Sequence, residues 1–222
     1  MAMIWTLPNI LTICRIALTP VIALLPFISG YVPKVIAFVV FLAAAISDFY
    51  DGRLARERDE ITDLGKLLDP IADKLLLFAT LVPIYWITNY RMQEYGIPWW
   101  GNFPLWVAVI LIGRELLMTA FRHMAQRKGV VIAAAGAGKL KTIIQDVFIG
   151  AMIAWFAWKD MRQAFGWQSG WFGEFWERFH GTVIAVTLGI TVLVTVYSLG
   201  VYIYRYRMLF RGVTASTPGD GS

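Results

Sequence analysis

One cysteine and two histidines are all that this chain of 222 residues holds of the softer metal ligands, and only 16% of it is charged. A lone thiol, Cys14, excludes an intrachain disulfide framework, and its place in the first apolar segment suits a small packing residue. His123 and His180 stand far apart and read as ordinary interfacial residues. The start, Met1 to Pro8, lacks the basic region of a cleavable signal peptide, and the apolar run behind it carries Arg15 with no cleavage site. No internal repeat and no stretch of soluble-domain composition occurs.

What is abundant is apolar: 58% hydrophobic residues, with ten Trp, nine Tyr and fourteen Phe. That composition excludes an ordinary soluble domain and predicts an all-α integral membrane protein. A net charge of +5 could suggest nucleic acid, but the basic residues are interleaved with the apolar segments. An anionic membrane surface is the expected partner, and no nucleic acid.

A spanning helix needs about 20 mostly apolar residues. Six segments qualify: about Pro8–Ser29, Pro33 to Ala55, a third beginning between Gly65 and Asp69 and ending near Tyr90, Phe103–Ala125, Ala137–Trp158 and Gly181–Tyr206. In the first, Asn9, Thr12 and Arg15 recur every third residue, so that side should face protein rather than lipid. Pro70 is tolerable in the first turn of the third. The regions around Trp99-Trp100 and from Trp167 to Trp176 read as interfacial, since Trp settles where apolar and wet surroundings meet.

Lys and Arg divide unequally between the two sides. Arg53, Arg56, Arg58, Lys66, Arg122, Arg127, Lys128, Lys139, Lys141, Arg205, Arg207 and Arg211 face Lys34, Arg91, Lys159, Arg162 and Arg178 across the bilayer. The positive-inside rule then places both termini in the cytoplasm. Residues 1–212 form one membrane domain, and the polar tail 213–222 is expected to be disordered.

Chemistry concentrates between Asp48 and Asp73. Asp48 and Asp51 are spaced i,i+3, and Asp69 and Asp73 i,i+4, so each pair shares one helix face. All four stand at the edge of apolar runs, where a carboxylate is costly and marks an ion or proton site. Converging without a cation they would repel by roughly 4 kcal/mol per close pair at an effective dielectric near 20. Oxygen-only donors suit Mg²⁺ or Mn²⁺ rather than zinc or copper, and four carboxylates have room for one or two ions. Two such ions are a standard clamp on a phosphoryl group. Gly52 and Ala55 keep the adjoining face shallow, and Arg56 offers a cationic fork to phosphate.

The full pattern, Asp48-x-x-Asp51-Gly52-x-x-Ala55-Arg56, eight residues, Gly65-x₃-Asp69-x₃-Asp73, matches the signature of the CDP-alcohol phosphatidyltransferase family of integral membrane enzymes. The opening Pro8-Asn9 to Arg15, the run Gly113-Arg114-Glu115 with Arg122, and Gly138-Lys139-Leu140-Lys141-Thr142 resemble its bacterial phosphatidylglycerophosphate synthase branch. The resemblance implies attack by the hydroxyl of sn-glycerol 3-phosphate on the lipid-side phosphorus of CDP-diacylglycerol, releasing CMP. It implies Mg²⁺ or Mn²⁺ held by Asp48, Asp51, Asp69 and Asp73. It further implies that Asp48, Asp51, Gly52, Ala55, Arg56, Gly65 and Thr12 bind the nucleotide lipid. Asp73 is implied as the general base, and a role as ligand alone stays open. A small dianionic acceptor calls for fixed cations, and Arg114, Arg122, Lys139 and Lys141 are the candidates. Lys139 and Lys141, two residues apart, diverge on a helix, so one of them can reach substrate while the other snorkels to headgroups. The expected architecture is six transmembrane helices in a bacterial inner membrane with a cytoplasm-facing polar cavity open both to lipid and to cytosol, and the family resemblance implies a homodimer. Other acceptors, such as inositol phosphate, serine or phosphatidylglycerol, keep the same chemistry. A divalent-cation transporter could use the same aspartates, although a transport site is expected near the midplane.

Overall fold

The computed structural model describes residues 6–57, 62–127, 136–167 and 170–210, and within them the side chains of 49, 51–57, 63, 66, 122–123, 126, 136–140 and 205–210 fall outside the description. The tail 213–222 also lies outside the described residues. The elements are helices throughout: α1 (Leu7–Leu24) with a 3₁₀ turn Leu25–Phe27, α2 (Tyr31–Glu57), α3 (Asp63–Tyr90), the short α4 (Met92–Tyr95), α5 (Leu105–Arg127), α6 (Gly136–Ala164) and α7 (Trp171–Phe210). Among the described residues there is no strand, only an isolated bridge between Ile97 and Gly101.

Among the described residues three stretches are long and apolar enough to cross a bilayer, Leu7–Phe27, Tyr31–Asp48 and Trp171–Tyr204, with mean hydropathies of 2.1, 1.7 and 2.1. The other long helices carry more charge, but their outward sides are apolar. On α3, Leu67, Ile71, Leu75, Phe78, Val82 and Trp86 follow one another at three- or four-residue steps and are all exposed. With buried Ala72, Leu77, Leu81 and Ile84 on the inner side, α3 beyond Lys74 is largely apolar on both sides.

α1 packs against α2 and α3, α2 against α6, α6 against α7, and α5 against α7 and α3. In lipid the association of such helices rests on close van der Waals packing and polar contacts, because the tails are as apolar as the core. Phe41, Phe103, Phe148, Trp155 and Phe156 are almost fully enclosed. The Phe103 and Phe148 rings stack at 5.8 Å, and Phe156 meets Tyr95 edge-on at 5.4 Å. Gly150 admits this contact density: a Cβ there would lie 3.3 Å from the Phe41 ring, so α6 approaches α2 closely only without one.

Several boundaries differ from the sequence reading. α3 begins at Asp63 rather than at or beyond Gly65, because the Thr62 hydroxyl accepts from the Gly65 N–H at 3.0 Å and caps the first turn. Pro70 therefore sits inside the helix, where its missing N–H leaves the Lys66 carbonyl without its usual partner. α7 runs back to Trp171 and takes in residues 171–176 of the segment read as interfacial. Its extra turns are held by aromatic pairs at i,i+4, Phe172–Trp176, Phe175–Phe179 and Trp176–His180, and by Glu177, which binds Lys159 at 2.9 Å and Arg162. At 40 residues α7 is about 60 Å long, twice a hydrocarbon core. Cys14 is exposed on the outer side of α1, not a packing residue, since the inner side of that helix is taken by Asn9, Thr12 and Arg15. His180 bonds the Ala151 carbonyl at 2.9 Å and stacks on Trp155, while the His123 side chain lies outside the description.

The end of the bundle away from the acidic stretch is closed by polar contacts. Asn89 donates to the Tyr85 and Phe103 carbonyls at 2.8 and 3.0 Å, and Phe103 N–H donates to the Thr88 hydroxyl at 3.1 Å, which turns the chain from α3 towards α5. Lys34 is wholly enclosed and donates to Asp160 at 2.7 Å and to the Ile28 carbonyl at 2.9 Å. The Tyr95 hydroxyl donates to the other oxygen of Asp160. Burial, then that hydrogen bond, push the Tyr95 phenol well above its ordinary range, so it stays a donor.

Candidate active site

The polar stripe of α1 faces the acidic turns of α2 and α3. Asn9, Thr12 and Arg15 are 2%, 1% and 2% exposed. Arg15 donates to Asp48 Oδ1 and lies 3.5 Å from Asp73 Oδ1. Thr12 donates to Asp69 Oδ1 at 3.1 Å and to the Pro8 carbonyl at 3.1 Å. One turn back, Thr62 donates to Asn9 Oδ1 at 3.0 Å while accepting from Gly65. The first helix is thus the frame on which the carboxylates of two others are hung.

Gly65 marks where α1 and α3 come closest. A Cβ there would stand 2.8 Å from Asn9 Oδ1 and 3.2 Å from Thr62 Oγ1. Asn9 is enclosed and already bonded to Thr62, so its amide has nowhere to swing. Gly65→Ala is expected to cost about 1–3 kcal/mol by overpacking. The check is thermal unfolding of the detergent-solubilised protein, which should fall by about 5 °C.

Asp48 and Asp73 look into a cavity of about 90 Å³, large against the roughly 10–15 Å³ that one water takes. Its far wall comes from α5 and α6: Glu115, Lys141, Gln145 and Asp146. Phe41, Leu77 and Ile149 form the apolar floor. Glu115 accepts from Arg114 Nη1 at 2.7 Å and from Lys141 Nζ, so one carboxylate gathers two of the expected acceptor cations. Arg114 also donates to the Ser198 hydroxyl at 3.3 Å and is 6% exposed, and Lys141 is 2% exposed. A wider depression of about 420 Å³ lies between the Trp99 loop and Glu177–Arg178. It holds none of the paired aspartates, so the chemistry belongs to the smaller cavity.

The cavity therefore brings together Asp48, Asp73 and Lys141 of the residues singled out in the sequence, with Asp69 and Thr12 joined to them through α1. The side chains of Asp51, Gly52, Ala55, Arg56, Arg122 and Lys139 lie outside the described residues. The sequence reading passed over Arg15 as a partner of the aspartates, and Glu115, Gln145 and Asp146 as cavity residues. The polar stripe on the first segment was the signal for Arg15. Asp146 stands five residues beyond Lys141 in a segment whose polar start was visible, but nothing local pointed it at Asp48.

The donor set suits a hard cation. Asp48, Asp69 and Asp73 are oxygen donors, and among the described residues the Arg15 guanidinium is set against Asp48 and Asp73 while the Thr12 hydroxyl holds Asp69. Among the described residues no three acidic, histidine or cysteine side chains close on one point. The candidate site is an anionic rim on α2 and α3 facing a mixed wall on α5 and α6, where Lys141 stands among Glu115, Gln145 and Asp146.

Comparison with known proteins places this arrangement. A sequence model of the CDP-alcohol phosphatidyltransferases matches residues 5–193. A probable phosphatidylglycerophosphate synthase of Mycobacterium tuberculosis is 38% identical over 155 residues, covering 68% of each chain. The CDP-diacylglycerol–glycerol-3-phosphate 3-phosphatidyltransferase of Bacillus subtilis is 32% identical over 161 residues, 67% of this chain and 77% of its own. The protein of the same name from Salmonella choleraesuis is 34% identical over 160 residues, 70% of this chain and 78% of its own. With a match that spans the carboxylates, the α1 stripe, Arg114 and Lys141 alike, the chain belongs to the CDP-alcohol phosphatidyltransferase family.

Proposed function

We propose that this protein transfers the phosphatidyl group of CDP-diacylglycerol to sn-glycerol 3-phosphate, giving phosphatidylglycerophosphate and CMP. The observation that carries the reading is the shared cavity: Asp48 and Asp73 on one side, and Lys141, tied through Glu115 to Arg114, on the other. A phosphorylated alcohol needs both, a base at its hydroxyl and cations at its phosphate. The relatives carry names with the same donor and acceptor.

In this reading Asp73 takes the proton of the attacking hydroxyl, and the new bond forms to the lipid-side phosphorus as the bond to CMP breaks. Arg15 holds Asp48 and Asp73 in place from below. Asp48, Asp51, Asp69 and Asp73 would hold Mg²⁺ or Mn²⁺, whose charge would offset that building on the diphosphate. Gly52, Ala55, Arg56 and Gly65, with Thr12 positioning Asp69, form the nucleotide-lipid side. Arg122 and Lys139 join Arg114 and Lys141 on the acceptor side.

The placement extends to the membrane. Six helices cross it, α1, α2, α3, α5, α6 and α7, supported by the apolar outer stripe of α3 and by exposed Leu105, Trp106, Val109, Leu116 and Leu117 on α5. The Lys and Arg excess puts the acidic turns and both termini on the cytoplasmic side of a bacterial inner membrane, where the cavity opens to soluble acceptor. The protein works as a homodimer.

The test is CMP release by the purified full chain in detergent, with CDP-diacylglycerol and Mg²⁺ or Mn²⁺, comparing glycerol 3-phosphate, inositol phosphate, serine and no acceptor. Release that depends on glycerol 3-phosphate is expected. Release with another acceptor instead would retain the aspartate chemistry and reassign the acceptor-side cations. No nucleotide release at all, with ion flux in vesicles free of nucleotide lipid, would point to transport.

A further inference from the structure

Gln145 stands on the wall of the candidate cavity with its carboxamide oxygen unused in the folded protein. It is 7% exposed, it lines the cavity beside Lys141 and Asp146, and its Oε1 has no hydrogen-bond partner. A buried amide oxygen left this way is destabilising, and native structures carry few such groups. Thr6, Trp155, Trp158 and Thr195 also hold a buried polar atom without a partner, as do Arg15 and Arg114 at Nε while their other nitrogens are bonded, and none of these six lines the cavity. Among the described residues, Gln145 is the one that both lines the cavity and holds such an atom.

Its register says which part of a substrate it would meet. Gln145 is four residues beyond Lys141 on α6, so the two side chains share a face about 6 Å apart along the axis. A three-carbon phosphorylated alcohol seated with its phosphate at Lys141 would bring its non-reacting hydroxyl within reach of the carboxamide. The reacting hydroxyl would point across the cavity to Asp73. A carboxamide offers both an acceptor and a donor, and a hydroxyl is both, so the pair can bond whichever way the amide is turned.

We propose that Gln145 is a specificity-determining residue, its carboxamide hydrogen-bonding the middle hydroxyl of the glycerol phosphate acceptor. The proposal rests on the reaction proposed above and adds which acceptor group is read. A site built to bond a hydroxyl rejects the analogue that lacks it, because the protein group is left buried and unpaired.

The probe is 3-hydroxypropyl phosphate, which keeps the phosphate and the reacting primary hydroxyl and lacks the middle one. The full chain in detergent should prefer glycerol 3-phosphate over this analogue by roughly 10- to 100-fold in kcat/KM. Gln145→Met, similar in length and unable to accept strongly, should lose about that factor with glycerol 3-phosphate and stay within about threefold of wild type with the analogue. The apparent KM for CDP-diacylglycerol should not move. Equal use of both acceptors by the wild type overturns the proposal, as does an equal loss on both in the variant. Should Gln145→Met not accumulate in the membrane, Gln145→Asn, whose amide is withdrawn by one methylene, is read on the same two acceptors with the same criterion. Failure of the reaction itself is separate: it appears as wild-type CMP release that does not depend on glycerol 3-phosphate.

Discussion

Asp73→Asn is expected to lower CMP release by at least about 10³-fold and to leave the protein folded and inserted. A general base contributes typically about 10²–10⁴-fold, and the same carboxylate would also hold the divalent ion. The stability side follows from where the residue sits. Its side chain is 62% exposed at the cavity rim, and Arg15, its 3.5 Å partner, keeps the closer Asp48. No buried charge is stranded by the change, so thermal unfolding should shift by no more than about 2 °C. Initial rates of CMP release, set beside a melting curve of the same preparation, check both halves. Turnover above a tenth of wild type would remove Asp73 from the proton-transfer role and leave it a ligand at most.

Lys34→Met should do the opposite, weakening the fold and sparing the chemistry. Lys34 has no exposure at all, and its partner Asp160 keeps only 10% of its side chain exposed. Removing one member of a buried ion pair costs about 3–5 kcal/mol, since the other is left charged in a poor solvent. Asp160 would keep only the Tyr95 hydroxyl among its contacts here. The melting temperature should drop by about 10 °C. Replacing both, Lys34→Met with Asp160→Leu, should recover more than half of the loss, because the stranded charge is gone. Lys34 lies about 20 Å along α2 from Asp48. CMP release measured well below the melting point should accordingly stay within about twofold of wild type. A double variant no more stable than the single one would mean that Lys34 acts through its backbone contacts to Ile28 and Gly30 rather than through Asp160.

The two substitutions separate the two ends of the bundle. The rim where Asp73 stands is open, with its side chain exposed and the Asp48 carboxylate beside it on Arg15. The end where Lys34 stands is enclosed, with Tyr95 and Asp160 completing the contacts of the Lys34 ammonium. Stability and reactivity are thus assigned to opposite ends of the same helices, with α2 passing through both.

Much of this was legible from spacing alone, because helix faces are a local matter. Steps of three and four residues put Asn9, Thr12 and Arg15 on one side of α1 and Asp69 and Asp73 on one side of α3, and the structure buries the first of these stripes. Apolar length announced the helices, and carboxylates at their edges announced a site. Boundaries were less legible where a side chain decided them: one hydroxyl, Thr62, starts α3 early, and aromatic pairs carry α7 back past Gly181. What tertiary structure alone decided is which faces meet. Arg15 reaches Asp48 across 33 residues and Lys34 reaches Asp160 across 126, and no periodicity contains either pairing. The same holds for Glu115, which reads as one more acid beside Arg114 until α6 brings Lys141 to it. It holds for Gln145, an unremarked amide until the packing of α2, α3 and α6 closes a cavity around it and leaves its oxygen without a partner. The physical reason is common to all four: a side chain's direction is set by its own helix, and its partner is set by how distant helices pack.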